Sequence, residues 1–235
     1  RLEGRALGRP IDNGAINTRT SNIGRFTAST LSSMQELGRS YAASATPKML
    51  MTQDLTKIAD EVTSGITDRK DQARALYDWV RKNIRYVAVY LGVGGFVPHD
   101  TSWTLKNRYG DCKDQVLLLQ TLLAHKGIRS QTALINTLAE YEFDDLPVAG
   151  SFNHAVTYLP EFDMYLDTTA SDFVFGSLPV AIYGKPVVLA DERSTALSRV
   201  PSLAQARNVF KIKSVWKVDA NGGAKGTIDV SGADL

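Results

Sequence analysis

The sequence is poor in the side chains that most chemistry uses. Among 235 residues there is one cysteine and there are three histidines. A single thiol excludes a disulfide within the chain, so cysteine usage says nothing about compartment. No apolar run reaches the ~18 residues that a membrane-spanning helix requires, and no internal repeat occurs. Charge of one sign is missing too: 27 basic residues face 25 acidic ones, for a net charge of +2. That balance gives no electrostatic case for nucleic acid as a partner. There is no Asp-rich loop of EF-hand spacing. The Gly-rich stretch Gly92–Gly95 neither opens a helix nor carries the Gly-Lys-Ser/Thr ending of a P-loop. No cofactor is expected from these features. The chain starts at Arg1 with no signal-like apolar segment, and it reads as a piece of a longer protein whose targeting information lies elsewhere.

What is present is an ordinary globular composition, 43% hydrophobic and 22% charged, enough chain for one sizeable core with extensions. Residues 1–45 read as a linker or the remnant of an upstream domain followed by a short helix; Ser33-Met34-Gln35-Glu36 has capping-box spacing there. A core follows over 46–200. It opens with a helix from about Asp54 and another from about Asp68, whose Ala73, Leu76, Tyr77, Val80 and Ile84 keep the helical period. Tyr86–Tyr90 reads as a strand and the segment holding Trp103 as irregular. Beyond residue 130 the pattern turns to short strands, at 131–136, 155–159, 164–167 and 187–189, with Pro160–Asp163 as a hairpin turn. Residues 201–235 read as the start of a truncated β-rich domain, with a hairpin around Asn221-Gly222-Gly223. Helices first and antiparallel strands after them make an α+β fold.

The lone cysteine sits in Arg108-Tyr109-Gly110-Asp111-Cys112-Lys113-Asp114, directly before an apolar run that closes at Gly127. This is a buried helix with a glycine stop. A thiol in the first turn of such a helix meets unpaired N–H groups and the positive end of the dipole. Both favour the thiolate, the nucleophilic form. Asp111 and Asp114 fit a helix cap better than a metal site, and Lys113 either stabilises a nearby thiolate or is solvated at the helix surface, with solvation favoured.

A thiolate that attacks an acyl carbon needs a proton-carrying base, a group to orient it and donors for the oxyanion. His125 lies 13 residues along the same helix, roughly 20 Å away at ~1.5 Å per residue, which excludes it. His99 is in a loop, with no orienting carboxylate on rigid structure evident nearby. His154 opens a strand, and Asp167 follows in the next one. A four-residue turn at 160–163 sets Leu159 opposite Met164; a tight turn at Pro160-Glu161 sets His154 opposite Asp167. Either register leaves imidazole and carboxylate on one face.

The cysteine motif, with its apolar helix and Gly127-Ile128, together with Ser151-Phe152-Asn153-His154-Ala155 and Tyr165-Leu166-Asp167-Thr168-Thr169, resembles the three linked motifs of the transglutaminase-like superfamily over about residues 50–175. The resemblance implies a papain-like core, with the cysteine helix packed on an antiparallel sheet and N-terminal helices beside it. It also implies a triad: Cys112 as nucleophile, His154 as base and acid, Asp167 as orienter. The substrate would be a peptide or protein amide, processed through a thioester to water or to an amine. Hydrolysis is favoured because nothing marks a lysine-binding channel. The Gly-Asp-Cys-Lys-Asp form is similar to that of secreted bacterial proteins in which the core lies between β-rich domains, so a periplasmic or extracellular place is expected. The rival reading is a catalytically silent module that docks peptides or proteins. Around the triad, the Cys112 backbone N–H is the oxyanion donor of first choice. Trp103, Tyr109 and Gly95 are candidates for the cleft or the oxyanion site. Trp103 either lines the cleft or packs, with packing favoured, and Gly95 either lets backbone approach a substrate or turns the chain.

Overall fold

The computed structural model describes residues 28–88, 95–138, 143, 146–191, 195–202 and 210–232. Contacts divide the chain into two units, one ending at Val200 and the other starting at Pro201.

The first unit begins with three capped helices. Helix α1 (Met34–Ala45) starts at Ser33, whose hydroxyl accepts the Glu36 N–H at 3.1 Å. The other half of the expected capping box is displaced by one residue, because the Glu36 carboxylate accepts the N–H and O–H of Ser32 instead, at 2.7 and 2.6 Å. Helix α2 (Gln53–Val62) is capped by Thr52, and α3 (Arg69–Asn83) by Asp68. In α3 the buried stripe is Ala73, Leu76, Tyr77 and Val80, as the period predicts.

The expected strand at Tyr86–Tyr90 is corrected. Strand β1 spans only Arg85–Tyr86 and pairs in parallel with β2 (Tyr109–Gly110); Val89 and Tyr90 lie outside the described residues. Trp103 is also in regular structure, in α4 (Thr101–Asn107), which ends where Arg108 turns left-handed at φ 58°. Seven residues with no apolar stripe carry too weak a periodic signal to read from sequence.

Helix α5 (Cys112–His125) is buried all round through Leu123, as befits a helix enclosed on every side. It ends in a Schellman motif. Gly127, at φ +70°, donates to Ala124 O, and Ile128 donates to Leu123 O, both at 2.9 Å. Five antiparallel strands follow: β3 (Gln131–Ile135), β4 (His154–Leu159), β5 (Met164–Leu166), β6 (Pro186–Ala190) and β7 (Ala196–Arg199), in the order β5-β4-β3-β6-β7. Strand β7 was not foreseen; it is a mostly exposed edge without apolar alternation.

Core side chains occupy both faces of this sheet. Leu55, Leu76, Tyr77, Leu118, Leu119 and Leu122 pack with Leu159 and Leu166 to join α2, α3 and α5 to β4 and β5. Ala133, Ile135, Val156, Val187 and Leu189 bury against Leu178 and Ile182. A third cluster brings Met34 and Leu37 of α1 against Cys112, Val116, Leu134, Ala155 and Val188. Helix α1 therefore lies on the sheet beside the cysteine. Gly38 makes the close crossing possible, because a Cβ there would sit 2.8 Å from Val188 Cγ1.

The second unit is a hairpin of β8 (Phe210–Val218) and β9 (Ala224–Gly232), closed by Asp219, whose carboxylate accepts the N–H groups of Asn221 and Gly223 at 2.9 Å. Among the described residues no helix is long and apolar enough to cross a membrane.

Candidate active site

The cysteine is placed by a tightly built helix start. Asp111 is the N-cap, and its carboxylate accepts the N–H groups of Lys113 and Asp114 at 3.2 and 3.3 Å. Asp114 returns the bond, accepting the Asp111 N–H at 3.1 Å, which completes a capping box. Gly110 is required by space, since a Cβ there would meet Asp114 Cβ at 2.6 Å. The first-turn position leaves the Cys112 N–H without an intrahelical acceptor.

Lys113 is not solvated. It is 6% exposed, and its ammonium is paired with the equally buried Asp111 carboxylate. Burial raises the Asp111 carboxyl above its usual range, against the pull of the Lys113 hydrogen bond. The expectation that His99 lacks a carboxylate on rigid structure is likewise corrected. Its backbone N–H donates to Asp114 Oδ1 at 2.7 Å, and its Nδ1 lies 3.1 Å from Oδ2. The ring stacks on Trp103 at 3.8 Å, and Trp103 meets Tyr109 edge-on at 5.3 Å. These three rings brace the cap from the side.

His154 is the first residue of β4, which lies between β5 and β3, and the turn at 160–163 sets the register Leu159↔Met164, the four-residue version of the two expected. Asp167 stands one residue beyond β5, on the same face as His154 by alternation. Their side chains meet, with His154 Nε2 2.9 Å from Asp167 Oδ2. Cys112 and His154 line one cavity, and the sulfur is close enough to act on the charge of the ring. Burial works against a charged ring here, yet the Asp167 hydrogen bond and the neighbouring sulfur outweigh it and push His154 up to about 10. Burial would raise Asp167, but the bonds from His154 and from the Thr169 N–H and O–H, at 2.9 and 2.7 Å, hold it below the usual carboxylate range.

Two supports of Asp167 were not foreseen. Thr169 anchors its second oxygen, a local turn that Asp-Thr-Thr could have signalled. Tyr77 of α3 donates its hydroxyl to the Asp167 carbonyl at 3.1 Å within the core; nothing in the sequence separates that tyrosine from ordinary packing.

A cavity of about 460 Å³ opens on Cys112, Asp111, Lys113 and His154. Gly95 lines it, as do Leu31, Leu37 and Tyr41 from the α1 region. Trp103 and Tyr109 are not among its lining residues; Trp103 stacks on His99 and meets the ring of Tyr109. His125 points away to Asp60 at 3.0 Å. Among the described residues no three His, Cys, Asp or Glu side chains are gathered as metal ligands would be.

Comparison with known proteins starts from this geometry. Residues 56–161 match the family model of the transglutaminase-like superfamily, a stretch that holds Cys112 and His154. A solved structure of a candidate protease from Parabacteroides distasonis ATCC 8503 aligns over 71% of this chain with a TM-score of 0.55 at 16% identity, and over 31% of its own chain. A candidate cysteine protease from Cytophaga hutchinsonii aligns over 81% of this chain and 56% of its own, with a TM-score of 0.38 at 15% identity. The present chain thus spans about a third of the first and just over half of the second. No curated protein matches the sequence. The segment 56–161, with its buried helix, the helices ahead of it and strands of the antiparallel sheet, is thus similar to the transglutaminase-like superfamily.

Proposed function

We propose that this protein is a cysteine-dependent hydrolase of amide bonds in peptides or proteins. The observation that carries the reading is one grouping: a carboxylate held below its usual range, an imidazole fixed at 2.9 Å from it, and a helix-start cysteine that lines the same cavity as that ring. The parts fit the roles of nucleophile, base and orienter.

Cys112 Sγ, as a thiolate opposite the imidazolium, attacks the amide carbonyl carbon. The carbonyl oxygen becomes an oxyanion facing the Cys112 N–H at the positive end of α5. The C–N bond breaks as His154 gives its proton to the leaving amine, and the acyl group stays on sulfur as a thioester. Water then attacks while His154 takes one of its protons; the carboxylic acid departs and the proton exchanged at His154 restores the starting pair. Asp167 keeps the ring in one tautomer and orientation throughout. An amine in place of water would give transamidation by the same steps. The likeness of the cysteine motif to that of secreted bacterial proteins supports an extracytoplasmic substrate.

The test is the rate of Cys112 alkylation by iodoacetamide as a function of pH. Wild type should react fast below neutrality, and His154→Ala should slow that reaction by about tenfold or more, since a thiol without its cationic neighbour is largely protonated there. Equal rates in the two proteins would leave a docking module as the better description.

A further inference from the structure

We infer that α1 is a specificity element, completing a pocket beside Cys112 that selects acyl donors with a large apolar side chain at one of the two positions before the scissile carbonyl. The inference rests on the reading of Cys112 as the attacking nucleophile.

The cavity at Cys112 has two kinds of wall. One is the reacting edge, with His154 and the ion pair of Lys113 with Asp111, whose charges neutralise one another. The other is mainly apolar: Leu31 and Leu37 from the α1 region, Leu134 of β3 and Phe152 before β4, joined by Ser40, Tyr41 and Ser44 of α1. An acyl chain that presents its carbonyl to the sulfur must lay a side chain against that second wall. An apolar side chain gains there by leaving water, in proportion to the area it covers, whereas a charged one would have no counter-ion still unpaired by a neighbour. The volume, about 460 Å³, falls within the ~300–1,000 Å³ typical of small-ligand pockets, so a leucine- or phenylalanine-sized group fits along with its backbone.

Helix α1 lies ahead of the segment 56–161 that matches the superfamily. It is also fixed in place. Met34, Leu37, Ala42 and Ala45 are buried, Ser33 caps the helix, and Gly38 lets it lie directly on Val188. A wall held on three counts is a preformed pocket side rather than a loose cover.

Peptidyl acyloxymethyl ketones test this, because the thiolate displaces the carboxylate from the ketone methylene and leaves a stable thioether. A set would vary only the two residues before the ketone. Wild type should be labelled at Cys112 about tenfold faster or more with Leu or Phe than with Gly at one of those positions, the order expected for a pocket that reads apolar size. Ser40→Trp fills the cavity from an exposed helix position, and Leu31→Asp, made independently, charges its wall. Each should lower the Leu-to-Gly preference about tenfold. Labelling at Cys112 with equal rates for all probes, or a preference that neither substitution moves, would overturn the assignment of α1 while leaving the nucleophile in place. Absence of labelling by every probe would remove the nucleophile and the pocket's purpose with it.

Discussion

Asp167 accepts three hydrogen bonds, one from the His154 ring and two from Thr169, so imidazole and carboxylate titrate as one unit. The signs oppose each other. His154, ordinarily 6.5 and raised to about 10, contributes stability that is complete below pH 6.5 and disappears as the pH climbs toward about 10. Asp167, held below its ordinary 3.8, contributes above that value and loses its contribution as acid protonates it. The pair therefore stabilises the fold most between 3.8 and 6.5. Melting temperatures at pH 6.5 and pH 10 should show a loss in wild type that His154→Gln largely removes. A loss of the same size in both proteins would place the alkaline sensitivity elsewhere. Cys112→Ala should keep the melting temperature within a few degrees while abolishing turnover, since it removes one atom from a site that is 8% exposed and takes the attacking sulfur with it. Residual turnover of comparable size would mean that another group does the chemistry.

At the scale of elements, α5 combines a polar start with an apolar body. Removing Asp111 withdraws the cap and strands the Lys113 ammonium in a site that is 6% exposed. Asp111→Ala should cost about 3–5 kcal/mol in urea unfolding, the scale of a broken buried pair, well above the ~1 kcal/mol of an ordinary cap. Asp111→Asn combined with Lys113→Met should be closer to wild type than Asp111→Ala alone. Further along, Leu119→Ala should cost about 2–5 kcal/mol, because Leu119 is fully buried where α5 meets the helical core. How much of this was legible follows from the range of the forces involved. The cap, the apolar run, the glycine stop and the shared face of His154 and Asp167 are local, and all could be read from spacing alone; the β4–β5 register was narrowed only to two. The burial of Lys113, the bond from His99 to Asp114 and the stacking of Trp103 depend on residues 2 to 15 positions apart meeting in three dimensions. No period in the sequence encodes them. Tyr77 illustrates the same limit: its place on the apolar stripe of α3 was evident, but the hydroxyl bond to Asp167, 90 residues away, was not.

At the scale of the whole chain, the first unit assembles its cleft from three stretches that sequence separates widely. The region of α1 supplies a wall, α5 the sulfur, and the β4–β5 hairpin the ring and carboxylate. The carboxylate, though buried, is attached to the shortest of the elements involved. It follows β5, a strand of three residues at one margin of the sheet, with a neighbour on one side only among the described residues. Margins of this kind open at a lower free energy than central strands, before the body of a protein melts. Tyr77 and the contacts of Arg81 with the carbonyls of Ala170 and Ser171 pin the chain just past that margin. Mild denaturant should accordingly silence hydrolysis while the helical circular dichroism is still native, and hydrogen exchange in residues 164–169 should run ahead of exchange in α5. Catalytic competence in this fold would then be a local property, extinguished by the fraying of three residues long before the molecule itself comes apart.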